Sequence, residues 1–548
     1  MCRARRAARG SWLFALAPWL ATGCSDSSDP AASPPPPEIP FAEPGSVAAG
    51  SGAESFRFGA ASAATQIEDG NEHTDWYLWT LPEADGGLGQ GEQFVGDGSM
   101  GYTRALDDIS LVTDLHLDSY RFSIEWARIE PERDVIDEEA LAHYDELIDG
   151  LIAAGVKPMI TVHHFSNPRW VDDPLDVDCD QGPSDQNLCG YGHPTGGPEI
   201  IDEMAEHAAL LAERFGDRVD EWGTVNEPLN YLLASHGIGY FPPGKTKVFD
   251  LLDELLPAVF DYMRAHAAMY RALKDHDTVD ADGDGIEAAV GLTMAAGYWE
   301  AARDNEPSDH PEDVAGRDRL EYVYNYLFVD ALRAAELDTD LDGTLDTPAP
   351  ELADSLDWLG VQYYFRAGVT GQNGVLPVIE VSPCVGTFDL GSCLPPTDPT
   401  FCVPTMRYEY FPAGLYHVLE RYGARWPDLP LTVTEAGLAT EVGARRAEHV
   451  VRTLEQIERA RSEGVDVRGY YYWSLTDNFE WHEGYAPRFG LYRVDYATYE
   501  RSPTEGADVL RAIAGDRLLS SAQRQTYGGE GPLTPEDPDA PPAERCNY

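Results

Sequence analysis

The sequence predicts an α/β fold: a single (β/α)8 barrel, the TIM-barrel architecture, with its active site at the C-terminal ends of the strands. Three observations predict it. Between residues 54 and 516, short β-branched and aromatic runs alternate with longer stretches whose apolar residues recur at i, i+3, i+4 and i+7. Strand–helix alternation implies a parallel sheet, and eight such runs in one unit imply a closed barrel. Polar and aromatic residues gather where several runs end, which is a poor way to build a core and a good way to build a pocket.

The chain opens on MCRARRAARG, followed by the short apolar run SWLFALAPWLA and then TGC. A positive segment, an apolar segment too short to span a bilayer and a small-residue cleavage region form an export signal over residues 1–23. LATGC (20–24) resembles a bacterial lipobox, in which cleavage leaves the cysteine, here Cys24, as a lipidated N-terminus. The expected location is therefore the cell envelope, with membrane contact only through that anchor. Residues 24–53, rich in Pro, Ser and Ala, read as a tether.

The expected strands then follow in order: 56–62, 119–124, 157–164, 221–227, 288–295, 358–365, 431–437 and 467–475. Helical patterns such as EALAHYDELIDGLIAAG and AEHVVRTLEQIERARSEG lie between them. Residues 517–548 read as a poorly structured C-terminal tail.

With 39 basic against 95 acidic residues, the formal net charge is −56. Nucleic acid and anionic surfaces are poor partners for such a field. Of the eight cysteines, Cys2 leaves with the signal and Cys24 is the lipid site. The others can oxidise in an exported chain. Cys179 and Cys189, flanking a Gly/Asp/Asn-rich loop, are the preferred pair; the remaining connectivity stays open.

Glu227, in TVNEP, ends the fourth run, and Glu435, in VTEAG, ends the seventh. Two carboxyls opening on one cavity are what glycoside hydrolysis needs. One donates a proton to the leaving oxygen, and the other attacks the anomeric carbon or activates water.

Seven segments, in order, resemble glycoside hydrolase family 1, the β-glucosidase and β-galactosidase family of retaining barrels. FRFGAASAATQIED is similar to its opening segment, which implies a sugar-binding Gln66. YRFSIEWARIEP implies Arg121 beside the nucleophile, and TVHHFSNPRW a sugar-binding His164. TVNEP resembles the acid/base motif, with Asn226 on the 2-hydroxyl and Glu227 as acid/base. LGVQYYF implies Tyr364 against the nucleophile, and VTEAG implies Glu435 as that nucleophile. YYYWSLTDNFEWHEGYAPRFGLYRVDY implies Trp473 as a stacking platform, Glu480 and Trp481 on outer hydroxyls, and Phe489 at the pocket wall. The resemblance implies no catalytic cofactor. It also implies a neutral β-linked glucoside, galactoside or related oligosaccharide as substrate, because Glu480 would repel a phosphorylated sugar.

The chain departs from the family pattern at four places. Ala436 and Gln362 each replace an Asn, Ser166 an Asp and Asp69 a Gly. Gln362 remains a substrate-side candidate whose usual contact with the acid/base region is expected to be lengthened or lost. His163, Asp477 and Asn478 read as packing or structural groups, and Trp79 and Trp126 divide evenly between core and pocket.

DADGDG (280–285) and DTDLDG (338–343) begin as calcium loops do, making Asp280, Asp282, Asp284 and Asp338, Asp340, Asp342 candidates for structural Ca²⁺. Gly291 and Ala349 stand where an EF-hand needs its closing Glu, so solvated acidic turns are the alternative. Two rival functions remain beside hydrolysis: a transglycosylating version of the same site, separable by product analysis with an acceptor alcohol, and a carbohydrate-binding pseudoenzyme, which would bind sugar without turnover.

Overall fold

A computed structural model describes residues 34–386 and 389–546. The export signal and Cys24 lie outside the described residues. Eight parallel strands form a closed ring: β1 (Arg57–Ala61), β2 (Ser119–Ser123), β3 (Lys157–His163), β4 (Glu221–Asn226), β5 (Ala289–Arg303), β6 (Trp358–Thr370), β7 (Leu431–Ala436) and β8 (Val467–Trp473). Closure is between β8 and β1, where Tyr470 pairs with Phe58 and Trp473 with Ala61. Every residue of β1, β2, β4, β7 and β8 is buried, as a parallel sheet covered on both faces requires.

The connecting helices are α1 (Ala105–Asp114), α2 (Glu138–Ala153), α3 (Gly196–Phe215), α4 (Leu256–His276), α5 (Leu327–Ala334), α6 (Pro412–Arg425), α7 (Gly443–Ser462) and α8 (Glu505–Asp516). α2 starts where its sequence pattern does because Asp137 caps it, accepting from the N–H groups of Glu139 and Ala140. Its inner stripe of Leu141, Tyr144, Leu147, Ile148 and Leu151 is buried. Among the described residues no helix is long and apolar enough to cross a membrane.

Six strands match their expected bounds to within two residues; β5 and β6 run on. Beyond the barrel rim they continue to pair with each other, Arg366 with Tyr298 and Val369 with Ala301. Trp299 packs edge-on against Phe365 with ring centroids 5.4 Å apart. The extension depends on that partner, which periodicity within either run does not reveal.

Both expected domain edges are corrected. The tether does not reach residue 53. Ile39–Pro40 forms a two-residue strand with Leu518–Leu519, and Phe41 stacks 4.7 Å from Phe56. Arg468 donates to the carbonyls of Ser46 and Ala49, so the segment is bound to the barrel floor. The C-terminal stretch is also ordered. It contains α9 (Ser521–Tyr527), opened by a capping box between Ser520 and Gln523. Arg452 of α7 then donates to the carbonyls of Gly531 and Pro532, Glu448 accepts from Thr534, and Cys546 is bonded to Cys402. Proline and glycine content made this segment look loose. Its order comes from buried arginines of α7 whose donors need its carbonyls.

Cys179–Cys189 is bonded as expected, and Cys384–Cys393 and Cys402–Cys546 are the other disulfides among the described residues.

Candidate active site

The two carboxyls lie at the C-terminal rim, Glu435 on β7 and Glu227 one residue beyond β4. Glu227 has φ +43°, ψ +59°, a left-handed conformation that costs a non-glycine residue energy and is held only where the surroundings require it. It turns the chain from β4 into the short helix Pro228–Leu232, with Pro228 at the first helical position, where its missing N–H costs nothing. The side-by-side Asn and Glu before a Pro are thereby explained. Asn226 finishes the strand and Glu227 makes the turn. Its backbone N–H is tied to the Thr293 carbonyl at 2.8 Å.

Glu435 is held from three sides. Arg121 donates to its Oε1, Gln362 Nε2 donates to the same oxygen at 2.7 Å, and the Tyr364 hydroxyl donates to Oε2 at 2.7 Å. Glu227 has one such partner, Asn230 Nδ2, at 2.7 Å. Both groups are buried. Burial and the charge of Glu435 push the Glu227 carboxyl up to about 8, with Asn230 and Arg121 acting weakly against them. Burial also pushes Glu435 up, while Arg121 and Tyr364 pull it back. More donors and a cation face Glu435, so the pair's first proton leaves from Glu435 and the second stays on Glu227.

Gln362 departs from expectation. Its contact is not lost; its amide reaches Asn226 Oδ1 at 2.8 Å and Glu435 rather than Glu227. The extra methylene relative to Asn carries the amide across to the nucleophile side. Asn226 Oδ1 also accepts from Arg121 at 2.6 Å and Thr293 at 2.9 Å. Its carbonyl oxygen is saturated, which leaves its amide N–H groups for a ligand.

Gln66 sits on the short helix after β1, where its Nε2 donates to the Phe479 carbonyl at 2.9 Å and to Glu480 Oε2 at 3.3 Å. Its Oε1 is a buried acceptor without a partner among the described residues. His164 lies between Trp473 and Trp481, 6.0 Å from each ring. Its pKa is held well below the usual imidazole range by burial and then by Arg121, so it is neutral. Burial, Glu483 and Glu435 raise the Glu480 carboxyl. Phe489 stands edge-on to Tyr364 at 6.0 Å. The expected catalytic and sugar-binding residues therefore gather at one rim of the barrel.

His163 and Asp477 are structural hydrogen bonders, as expected, and Trp126 and Trp79, left open between core and pocket, are core residues. His163 is spanned by Asn167 and Tyr262, Asp477 accepts from the Gly490 N–H, and Trp126 packs edge-on against Trp170 in the core. Trp79 is buried under the loop after β4 at Gly244. Asp69 accepts from Thr103. Ser166 donates to Glu125 at 3.0 Å, and Thr65 and Asn71 donate to the same carboxylate at 2.6 and 3.3 Å. The carboxylate missing at 166 is thus supplied from just beyond β2 by Glu125.

Sequence reading missed three groups. Asn230 was findable, three residues beyond Glu227 on the short helix that Glu227 opens. Glu125 and Tyr408 were not. Tyr408 comes from the long segment after β6, its hydroxyl buried without a partner among the described residues and within electrostatic reach of Glu480 and Glu227.

The acidic loops lie away from this rim. In the first, Asp284 is not part of the carboxylate cluster; Asp220 joins Asp280 and Asp282 instead, and Lys157 supplies an ion pair to Asp282. In the second, Asp338, Asp340 and Asp342 gather as expected, with Asp338 accepting from the Tyr322 hydroxyl at 2.9 Å.

The model of glycosyl hydrolase family 1 matches residues 51–517. A β-galactosidase of Pyrococcus woesei is 30% identical over 516 residues, covering 84% of this chain and 97% of that protein. β-Glucosidase A of Thermotoga maritima is 29% identical, covering 82% and 94%. The solved β-glycosidase from Pyrococcus horikoshii superposes with a TM-score of 0.71 at 27% identity, covering 89% of this chain and 99% of that one. With both carboxyls, their partners and the barrel in place, the chain belongs to glycosyl hydrolase family 1 and is a glycoside hydrolase.

Proposed function

We propose that this protein removes a neutral sugar, of the β-glucoside or β-galactoside class, from the non-reducing end of a glycoside or oligosaccharide, outside the cytoplasm. The observation that carries the reading is the unequal treatment of the two carboxyls. Glu435 is held by a guanidinium, an amide and a phenol; Glu227 keeps its proton to about pH 8.

Glu435 attacks the anomeric carbon as the bond from that carbon to the leaving oxygen breaks. Glu227 gives its proton to that oxygen, and a covalent glycosyl-enzyme results. Water then attacks the same carbon, its proton passes to Glu227, and the Glu435 carboxylate departs. The anomeric configuration is retained. Asn226 offers its free amide N–H groups to the 2-hydroxyl, where contacts strengthen at the transition state. Gln66, His164 and Glu480 address the other hydroxyls, and Trp473 and Trp481 give flat faces to the ring's C–H side. Glu480 and Trp481 offer no cation to a phosphate dianion, which favours unphosphorylated sugars.

The test is release of nitrophenol from a panel of aryl β-glycosides, with Glu435→Gln alongside, and NMR of the first-formed sugar. Turnover that is lost in the variant and gives the β-anomer first supports the reading; α-anomer first, or undiminished turnover in the variant, overturns it. Export and anchoring through Cys24 rest on the signal-like N-terminus. Lipid labelling of the full chain, abolished by Cys24→Ala, tests them.

A further inference from the structure

Glu227 and Glu435 are anchored differently. Three side chains hold both oxygens of Glu435. Among the described residues Glu227 has one side-chain hydrogen bond, from Asn230 Nδ2 to its Oε2 at 2.7 Å, and its Oε1 has none. The turn that Glu227 makes places Asn230 for this contact. The Glu227 carbonyl accepts from the Tyr231 N–H at 2.9 Å, which opens the short helix Pro228–Leu232 on the catalytic residue itself. Pro228, Leu229, Tyr231 and Leu232 are buried, and the Tyr231 hydroxyl accepts from Asn167 Nδ2 at 2.7 Å. Asn230 is the one residue of that helix that is not buried, and its side chain turns back to the carboxyl. The contact is thus set within four residues, on a helix pinned by its buried side chains.

The contact is directional. A protonated carboxyl has one hydroxyl oxygen and one carbonyl oxygen, and an amide NH₂ only donates. Donation to Oε2 makes that oxygen the carbonyl, so the proton sits on Oε1. When the proton leaves, Glu227 becomes a carboxylate and the same contact becomes charge-assisted, roughly twice as strong as a neutral one. The amide therefore stabilises the transition state of proton transfer more than the ground state. A guanidinium or ammonium at 230 would ionise Glu227 before any substrate arrived, and a carboxylate would compete for the proton. An amide does neither.

We infer that Asn230 is a positioning residue of the acid/base: it assigns the transferable proton to Oε1 of Glu227 and stabilises the carboxylate that forms when the proton leaves. The inference rests on the glycosidase reading of the pair. The other charged or titratable groups within electrostatic reach of Glu227 are Glu435, Arg121, Glu480, Tyr324, Tyr364 and Tyr408. Among the described residues none of them hydrogen-bonds to it, and a substitution at 230 leaves all of them in place.

The experiment measures kcat/KM across pH for an alkyl β-glycoside and a dinitrophenyl β-glycoside, in the wild type, Asn230→Leu and Asn230→Gln. Asn230→Leu should lower the rate on the alkyl glycoside by about tenfold, because a hydrogen bond to a forming charge is lost. The loss should be far smaller on the dinitrophenyl glycoside, whose leaving oxygen needs little protonation. The alkaline limb should move up by about one pH unit, since a donor to the charged form of Glu227 is gone, while the acid limb set by Glu435 stays in place. Asn230→Gln, which keeps an amide, should recover part of both effects. Equal losses on the two glycosides, or an unmoved alkaline limb, overturn the inference. Should Asn230→Leu not fold, Asn230→Ala decides on the same criteria. Failure of the wild type on every glycoside would instead strike the catalytic reading. In that case the Glu227 carboxyl is titrated by infrared difference against Glu227→Gln: a titration moved up in Asn230→Leu supports the inference, and an unmoved one overturns it.

Discussion

Gln362 Nε2 donates to Glu435 Oε1 at 2.7 Å, the oxygen that also receives Arg121. The amide stabilises the charged form of the nucleophile, and it does so from a position where the family usually has the shorter Asn. A hydrogen bond to a charged group is worth about 1.5–3 kcal/mol. Gln362→Leu should therefore lower kcat by about 10- to 100-fold. It should also raise the acid-side pKa of the kcat/KM profile, because a donor to the carboxylate is gone. A fall in activity with an unmoved acid limb would assign Gln362 to packing alone.

Activity should follow a bell in pH. Glu435 must be ionised and Glu227 protonated, so kcat/KM falls on the acid side as Glu435 gains a proton. It falls on the alkaline side near pH 8 as Glu227 loses one. Glu227→Gln should abolish the alkaline limb. It should also slow substrates with poor leaving groups by about 10²–10⁴-fold, and activated aryl glycosides far less. Steady-state profiles on two leaving groups separate these effects.

The same carboxyl predicts a stability effect of definite sign. Its folded pKa of about 8 lies above the ordinary value of 4.5. The folded state thus holds the proton more tightly. That contribution is fully present below pH 4.5 and is lost as pH rises through about 8. Glu227→Gln removes the loss. Its melting temperature should exceed that of the wild type at pH 8 and converge on it at pH 4. A constant offset at all pH values would contradict the assignment.

The C-terminal segment should behave as part of the domain. Cys402–Cys546 closes a loop over a sequence separation of 144 residues. Its loss should cost roughly 2–5 kcal/mol by restoring freedom to the unfolded chain. Cys546→Ser should lower the melting temperature under oxidising conditions, and reductant, which also opens Cys179–Cys189 and Cys384–Cys393, should bring wild type and variant to the same value. A chain ending at residue 516 should melt lower still, since Arg452 would also lose the carbonyls of Gly531 and Pro532. Scanning calorimetry of the three proteins checks the order.

Glu125 accepts from Thr65, Asn71 and Ser166, and so joins the segments that carry Gln66 and His164. Glu125→Ala should raise KM for the terminal sugar by about tenfold, near the worth of one charge-assisted hydrogen bond. The acid limb set by Glu435 should stay in place. A shifted limb would mean that Glu125 acts on the catalytic pair rather than on the sugar contacts.

The order of elements, the barrel and both catalytic carboxyls were legible in the chain itself. Hydrophobic runs of the right length alternate with helical stripes, and several strands end at or beside a group that faces the cavity. Glu227 and Glu435 could be named because strand ends in a closed parallel ring point to one rim. Asn230 was within reach of helix spacing. The extensions of β5 and β6, the order of residues 39–53 and 517–546, and the pairing of Glu125 with Ser166 were not. Each depends on a partner far away in sequence that no local pattern specifies.

By itself the sequence determined where six of the eight strands end and which polar groups stand at the rim, and therefore which chemistry the rim can perform. Only the tertiary structure decided how that chemistry is divided. Glu227 and Glu435 are the same residue type at equivalent strand ends. Their different proton affinities arise because three donors from β2 and β6 converge on one and a single amide on the other. Burial amplifies that difference, since a charge removed from water is stabilised only by the groups the fold brings to it.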